Sequence, residues 1–436
     1  MSLLNRLGLH RPELRAWAMY DWANSGFQST VVTAIFPIYF TAVAAANLRP
    51  ADATRHLTTA TTIALAIAAV IAPILGAIAD YAPVKKRMLA AFLGIGTLAT
   101  AAMVLIQRGD WVLAAVLFAI GNVGISASLT FYDSLLPHIA SEEEIDRVST
   151  AGYALGYLGG GILLALNVAW IIKPEAFGFR DAGAASRASF LSVAVWWIVF
   201  SIPLFRTVRE PHLRIQESVP SGRLLFRVAF GGLLHTLGEL RAYRQAFLFL
   251  IAFVVYNDGI NTIIRMATSY GTELGLERDA LITAILLVQF VGIPFSFLFG
   301  LMAGRIGAKR SIVAALAVYT LISVLGYYMK TERDFYVLAI LVATVQGGSQ
   351  ALGRSLFASM IPREKSSEFF GFFSVFEKFG AILGPALFGL TNAATGSSRG
   401  AILTVIVFFV AGGFLLSFVN VQEGQRAARV LEGTIV

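Results

Sequence analysis

Tyr20-Asp21-Trp22-Ala23-Asn24-Ser25-Gly26-Phe27-Gln28 lies inside the apolar run 16–45, and its polar side chains Asp21, Asn24 and Gln28 fall at i, i+3 and i+7. Asp258, Asn261 and Arg265 repeat that spacing, each 237 positions later, inside a second apolar run. On an α-helix these intervals bring all three side chains onto one face. A polar group in hydrocarbon is costly, so such a face looks into protein or a wet cavity. Two matched stripes in two matched halves point to a duplicated membrane protein with a central polar site, the layout of a transporter.

Composition agrees with a membrane reading. Of 436 residues, 57% are hydrophobic and 14% charged, against about a quarter charged in a soluble domain. Apolar runs of roughly 18 to 25 residues recur along the whole chain, each long enough to cross a bilayer as a helix. The alternating pattern of outer-membrane strands is missing. There are no cysteines, which removes disulfides and cysteine-based metal or redox chemistry. Met1 to Arg15 carries no cleavable leader pattern.

Twelve helices are predicted, near 16–45, 57–79, 88–106, 111–133, 149–172, 188–205, 245–270, 280–302, 311–329, 335–360, 367–391 and 400–420. The N-terminus and the alternate loops after it hold 21 Lys and Arg, the opposite loops 10. The positive-inside rule then places both termini in the cytoplasm. The net charge of +8 is read as this topology signal rather than as a nucleic-acid surface. The longest connection, 206–244, separates an N-terminal bundle (1–205) from a C-terminal bundle (245–436). Its second part, Arg223 to Arg244, mixes leucines and phenylalanines with arginines, as an amphipathic helix on the inner leaflet would. A plain tether is the simpler reading.

A second offset, 224, aligns Gly76-Ala-Ile-Ala-Asp80 and Lys85-Lys86-Arg87 with Gly300-Leu-Met-Ala-Gly304 and Lys309-Arg310. The difference of 13 between the two offsets predicts a longer first outer loop in the N-terminal half. Six spans per half in one orientation are parallel repeats. The Gly-x-x-x-Asp turn with basic residues after it resembles the loop between the second and third helices of the major facilitator superfamily. The second copy departs from it, with Gly304 at the Asp position. Three longer stretches are more specific: Tyr20-Asp21-Trp22-Ala23-Asn24-Ser25 with Thr33-Ala34-Ile35-Phe36-Pro37; Tyr256-Asn257-Asp258-Gly259 with Ile264-Arg265-Met266; and Glu377-Lys378-Phe379-Gly380 before Gly384-Pro385. They resemble the vacuole-effluxer, autophagy-related family, over essentially the whole chain. Eukaryotic members are associated with amino-acid export from the vacuole. The resemblance implies an all-α membrane protein of two six-helix bundles, with spans one, four, seven and ten lining the cavity.

Polar stripes on those four spans agree with that placement. Span four carries Asn122, Ser126, Thr130 and Asp133, and span ten carries Gln346, Gln350 and Arg354, with the first three of each set in register at offset 224. Candidate substrate-binding residues are therefore Asn24, Gln28, Asn122, Asp258, Asn261, Arg265, Gln346, Gln350 and Arg354. Asp258 and Arg265 stand two turns apart on one face and could hold opposite ends of a zwitterion; the alternative is a charge pair that only holds the bundle together. Arg354 reads either as a carboxylate or phosphate binder or as a snorkelling cation. Asp21, Asp258 and Glu377 are the candidate proton carriers, though Asp21 reads equally as a helix-entry residue, and Glu377 and Lys378 point in different directions, so that one of them could face the cavity or form a structural pair with Arg354 or Asp258. Gly76, Asp80, Lys85, Lys86 and Arg87 are the candidate conformational latch, as the superfamily resemblance implies. Glycines 152, 156, 159, 160 and 161 in span five read as packing elements, with Tyr157 where the resembling antiporter motif has proline.

No P-loop or HExxH is present, and the five histidines fall in predicted loops or tails, so neither an enzyme nor a metal or cofactor site is expected. The expectation is a monomeric secondary transporter, a symporter or antiporter of the bacterial inner membrane. It would move small polar or zwitterionic solutes such as amino acids, with protons as coupling ion. Drug or organic-ion efflux is the alternative within transport, and a receptor or scaffold the alternative outside it.

Overall fold

Pro12 opens the first membrane helix at a position where its missing N–H costs nothing, after an extended Arg11. This helix, α1, runs Pro12–Ala44. It is not α-helical throughout. Phe27–Ala34 and Phe40–Ala44 are π-helical and flank a short α-turn, Ile35–Tyr39, that contains Pro37. Proline removes one donor from the ladder, and the wider turns re-pair the backbone around it. Thr33 Oγ1 donates to the Gln28 carbonyl at 2.9 Å, a five-residue step.

The remaining helices are α2 (Pro50–Tyr81), α3 (Lys85–Ala102), α4 (Trp111–Ile139), α5 (Ile145–Ile172), α6 (Ala182–Thr207), α7 (Arg244–Glu273), α8 (Arg278–Ile306), α9 (Ala308–Tyr328), α10 (Glu332–Ala358), α11 (Ser366–Gly380), α12 (Leu383–Thr395), α13 (Ser398–Ser417) and α14 (Val421–Thr434). A computed structural model describes residues 3–81, 84–211, 243–273, 275–380, 383–395 and 398–434. Among them, eleven helices are long and apolar enough to cross a membrane. The short pair α11 and α12 occupies the remaining expected span. Of the expected amphipathic segment, Arg223 to Arg244, residues 223–242 lie outside the described ones.

Three expectations need correction. Helices α2 and α4 extend past their apolar runs, to Pro50 and Ile139, because apolarity marks only the hydrocarbon depth and a helix continues into the polar interface. His56 and His138, expected in loops, are therefore helical; His56 stacks on Trp111 with centroids 4.3 Å apart. The first outer loop is longer by a single residue, not by 13: residues 45–49 separate α1 from α2, and 274–277 separate α7 from α8. The surplus sits inside helices. Twenty-three residues of α1 follow Asp21, whereas fifteen of α7 follow Asp258. The π-helical turns of α1 absorb part of that excess.

In the first half α1 packs on α5 and α6, α2 on α4, and α3 on α4 and α6; in the second, α7 packs on α13, α8 on α10, and α9 on α10 and α13. Small residues allow the closest approaches. A Cβ on Gly159 of α5 would sit 2.6 Å from the Trp22 carbonyl of α1. The halves meet through α2 and α4 against α11, and through α5 against α8 and α10. At the end where the termini lie, α14 bridges both halves: Gln245 Nε2 of α7 donates to Glu423 Oε2 at 2.8 Å, and Arg429 Nε to Glu142 Oε1, between α4 and α5, at 2.7 Å.

Candidate functional site

A cavity of about 710 Å³ lies between the halves. Its walls include Pro37, Leu57 and Phe118 from one half and Tyr270, Phe335 and Ile402 from the other, all toward the end away from the termini. At the terminal end the halves are in contact. The cavity therefore faces the side opposite the termini, above a closed floor.

Arg354 is the centre of that floor and is 4% exposed. Its NH1 meets Asp133 Oδ1 and its NH2 meets Asp21 Oδ2, each at 3.1 Å. Nε donates to Ser149 Oγ at 2.9 Å, and NH2 also to the Ser149 carbonyl at 3.0 Å. The guanidinium carbon lies 4.7 Å from the ring centroids of Trp17 and Tyr153 and 5.6 Å from that of Tyr132. One side chain of α10 thus ties together α1, α4 and α5. Arg354 also borders the cavity, and in this arrangement its donors are engaged across the interface instead of snorkelling to solvent.

Above the floor, the polar stripes line the cavity as their spacing predicts. Asn24, Gln28, Asn122, Asn261, Gln346 and Gln350 all border it. The carboxamides of Asn24 and Asn122 donate to the carbonyls four residues back, Tyr20 at 2.7 Å and Phe118 at 2.8 Å. Those of Gln28, Asn261, Gln346 and Gln350 make no hydrogen bond to a described residue, which leaves their donors and acceptors to the cavity. Arg265 borders the cavity, is exposed, and forms no ion pair among the described residues. Glu377 and Lys378 of α11 also border it and pair with each other at 3.1 Å.

Asp258 does not border the cavity. It is 1% exposed, and its Oδ2 accepts the Gly384 N–H at 2.7 Å. A carboxylate there meets unpaired amides at the start of α12, the favourable position at a helix N-terminus. Asp258 and Arg265 share a face of α7, but α12 covers the face at Asp258, while at Arg265 it borders the cavity. The expected grip of both on one zwitterion is not formed.

The candidate latch separates in the same way. A Cβ on Gly76 would run into the Ser367 carbonyl, so only glycine lets α2 come this close to α11. Asp80 accepts from the Ser367 and Glu368 amides at 3.1 and 2.7 Å, at the first turn of α11. Lys85, 1% exposed, bridges Asp80 at 2.8 Å and Ser366 Oγ at 2.7 Å, with His138 Nε2 at 3.3 Å. Lys86 and Arg87 do not join them. Lys86 donates to the carbonyls of Phe205 and Val208 at 2.9 and 2.5 Å, closing the end of α6, and Arg87 is exposed. Adjacent residues on a helix point about 100° apart, so the basic run cannot act as one group.

Sequence reasoning did not place Asp133, Ser149 or His138 among the candidate site residues. Asp133 continues the polar stripe of span four and was legible there. Ser149 and His138 had no signal, because each acquires its part only from the helix opposite.

The description "Vacuole effluxer Atg22 like" matches residues 10–429. The chain belongs to this family of major facilitator transporters. Among relatives of the Atg22-like chain, the MFS-type transporter YxiO of Bacillus subtilis is 37% identical over 413 residues, covering 93% of this chain and 94% of that one. Autophagy-related protein 22 of Yarrowia lipolytica is 30% identical over 312 residues, and the match takes in 66% of this chain and 52% of the fungal one. In fold, the chain is similar to the proton:xylose symporter XylE bound to 6-bromo-6-deoxy-D-glucose, with a TM-score of 0.70, 11% identity, and coverage of 96% and 98%. The Atg22-like chain is a multi-pass membrane protein with the major facilitator fold, a secondary transporter and not an enzyme.

Proposed function

We propose that the protein is an alternating-access carrier of the bacterial cell membrane, with both termini cytoplasmic, that moves small zwitterionic solutes, amino acids first among them, in exchange or together with protons. The observation that carries this reading is Arg265. It presents a guanidinium without an ion-pair partner among the described residues to a cavity in which the carboxamides of Gln28, Asn261, Gln346 and Gln350 are unengaged. A guanidinium binds a carboxylate through forked hydrogen bonds. Lys378 is paired with Glu377, and Asp21 and Asp133 with Arg354, which leaves Arg265 as the cavity-lining charge without an ion pair among the described residues. A solute carboxylate would meet Arg265, and an ammonium at its other end would donate to the carboxamide oxygens of Gln28, Gln346 and Gln350. The family's association with amino-acid export supports the same class, and the loop charge bias supports the orientation. Within this reading the contact of Gly76, Asp80 and Lys85 with α11 holds the cytoplasmic end shut.

The test is counterflow in proteoliposomes preloaded with a mixed amino-acid pool and read by mass spectrometry. Exchange of particular amino acids is expected, and Arg265→Ala is expected to reduce it at least tenfold while the protein remains folded in the membrane. Undiminished exchange by that variant would refute the assignment. A second reading, efflux of amphipathic organic ions, draws on Phe253, Phe370 and Phe373 along the wall. It predicts transport that survives loss of Arg265.

A further inference from the structure

The floor holds one cation between two anions. Arg354 belongs to the second half, while Asp21, Asp133 and Ser149 belong to the first, so any movement that opens the floor withdraws the guanidinium from both carboxylates at once. The wall around them is aromatic, formed by Trp17, Tyr132 and Tyr153. Two neighbouring carboxylates that lose their counter-ion in such surroundings do not both stay ionised.

Building on the transport reading above, we propose that Asp133 takes up one proton as Arg354 departs and releases it as Arg354 redocks, so that opening of the floor and protonation of Asp133 are one linked event. The step is balanced by water: hydronium in the cavity gives its proton to a carboxylate oxygen of Asp133, and redocking returns it. The guanidinium keeps its charge throughout. Asp133 is the member of the pair more open to the cavity, with 16% side-chain exposure against 11% for Asp21, which is wedged against Gly152. The charged and titratable groups that face it are Asp21 and Tyr20 of α1, Arg354 of α10, Tyr153 of α5 and Glu377 of α11, with Tyr132 before it on α4. Asp80, Lys85 and His138 of α2, α3 and α4 lie nearer the termini, tied to α11. This makes Arg354 an internal competitor of the proton, a different part from that of a substrate ligand.

The experiment uses the natural absence of cysteine. Spin labels at Glu143→Cys and Arg305→Cys, exposed residues of opposite halves at the terminal end, report whether the floor is open. In the full-length protein the longer-distance population should grow as pH falls, by at most about tenfold per unit for one linked proton. Asp133→Asn should abolish that response, because the remaining pair of Asp21 and Arg354 needs no proton, and His138→Gln should retain it. Distances independent of pH in the unmodified protein would overturn the proposal. So would an intact response in Asp133→Asn, or its loss in His138→Gln. If Asp133→Asn does not fold, the pH response of the unmodified protein still decides. Counterflow separates the two readings: absence of exchange by the unmodified protein counts against the substrate class, while pH-independent distances count against the proton switch.

Discussion

Residues 76–86 and 300–310 occupy equivalent places in the two halves, begin with the same glycine and carry the same basic residue, yet behave differently. Gly76 brings α2 against Ser367 of α11, and Gly300 brings α8 against Thr150 of α5. Four residues on, the copies diverge. Asp80 grips the first turn of α11, while Gly304 faces open space, with nothing within 4 Å of where its Cβ would be. The lysines follow. Lys85 is buried beside Asp80, whereas Lys309, its counterpart 224 positions later, turns to the end of α13 and donates to the Ser417 and Val419 carbonyls, both at 2.8 Å. In the first half that capping task falls to Lys86 on α6. The carboxylate decides where the lysine goes. One interface between the halves is therefore closed by charge. The other, α5 against α8 and α10, has the Arg354 contacts at the floor and, above them, the Tyr157 ring lodged against Gly292 and Gly347. An ionic contact lets go abruptly, and a ring among glycines can slide.

The comparison can be broken at several points. The largest effect is expected from Asp80→Asn, which leaves Lys85 buried without its charge partner, a situation that costs about 3–5 kcal/mol. Thermal unfolding of the purified protein should show a clear loss, and Lys85→Met added to the same chain should recover much of it. A single variant as stable as the unmodified protein would mean that charge is not what closes this interface. Gly347→Val should cost less, about 1–3 kcal/mol by overpacking against Tyr157 and Ser296. Tyr157→Ala in the same chain should relieve part of that loss. The smallest effect is expected from Gly304→Asp, within about 0.5 kcal/mol and without change in the distance between labels at 143 and 305, since nothing lies within 4 Å of where its Cβ would be. Stabilisation of the closed floor by that substitution would show that the second copy can still latch.

The fold was legible because the bilayer imposes a length on every helix and the repeat supplies each half as a check on the other. The cavity-facing positions were legible for the same reason that helical period is: Gln28, Asn122, Asn261 and Gln346 lie where their spacing puts them. Spacing assigns a face, but it is silent about what covers that face. Asp258 and Arg265 differ only in whether α12 or the cavity stands opposite, and that depends on where the chain leaves α11 and begins α12. Arg354 and Asp133 are 221 positions apart, and nothing local to either predicts their meeting. The 13-residue offset was visible, but its cause was not, because a π-helical turn has the composition of an α-helical one.

Those turns have a consequence for the lipid. At the α-helical rise the 33 residues of α1 would reach about 50 Å, beyond the roughly 40–45 Å of a whole bilayer with its headgroups. Wider turns advance less per residue, so α1 spends its surplus as girth instead of reach. Hydrophobic thickness then places little demand on it to tilt. Removing a residue from Phe27–Ala34 would accordingly be felt less by the membrane than by the cavity that Gln28 and Thr33 line.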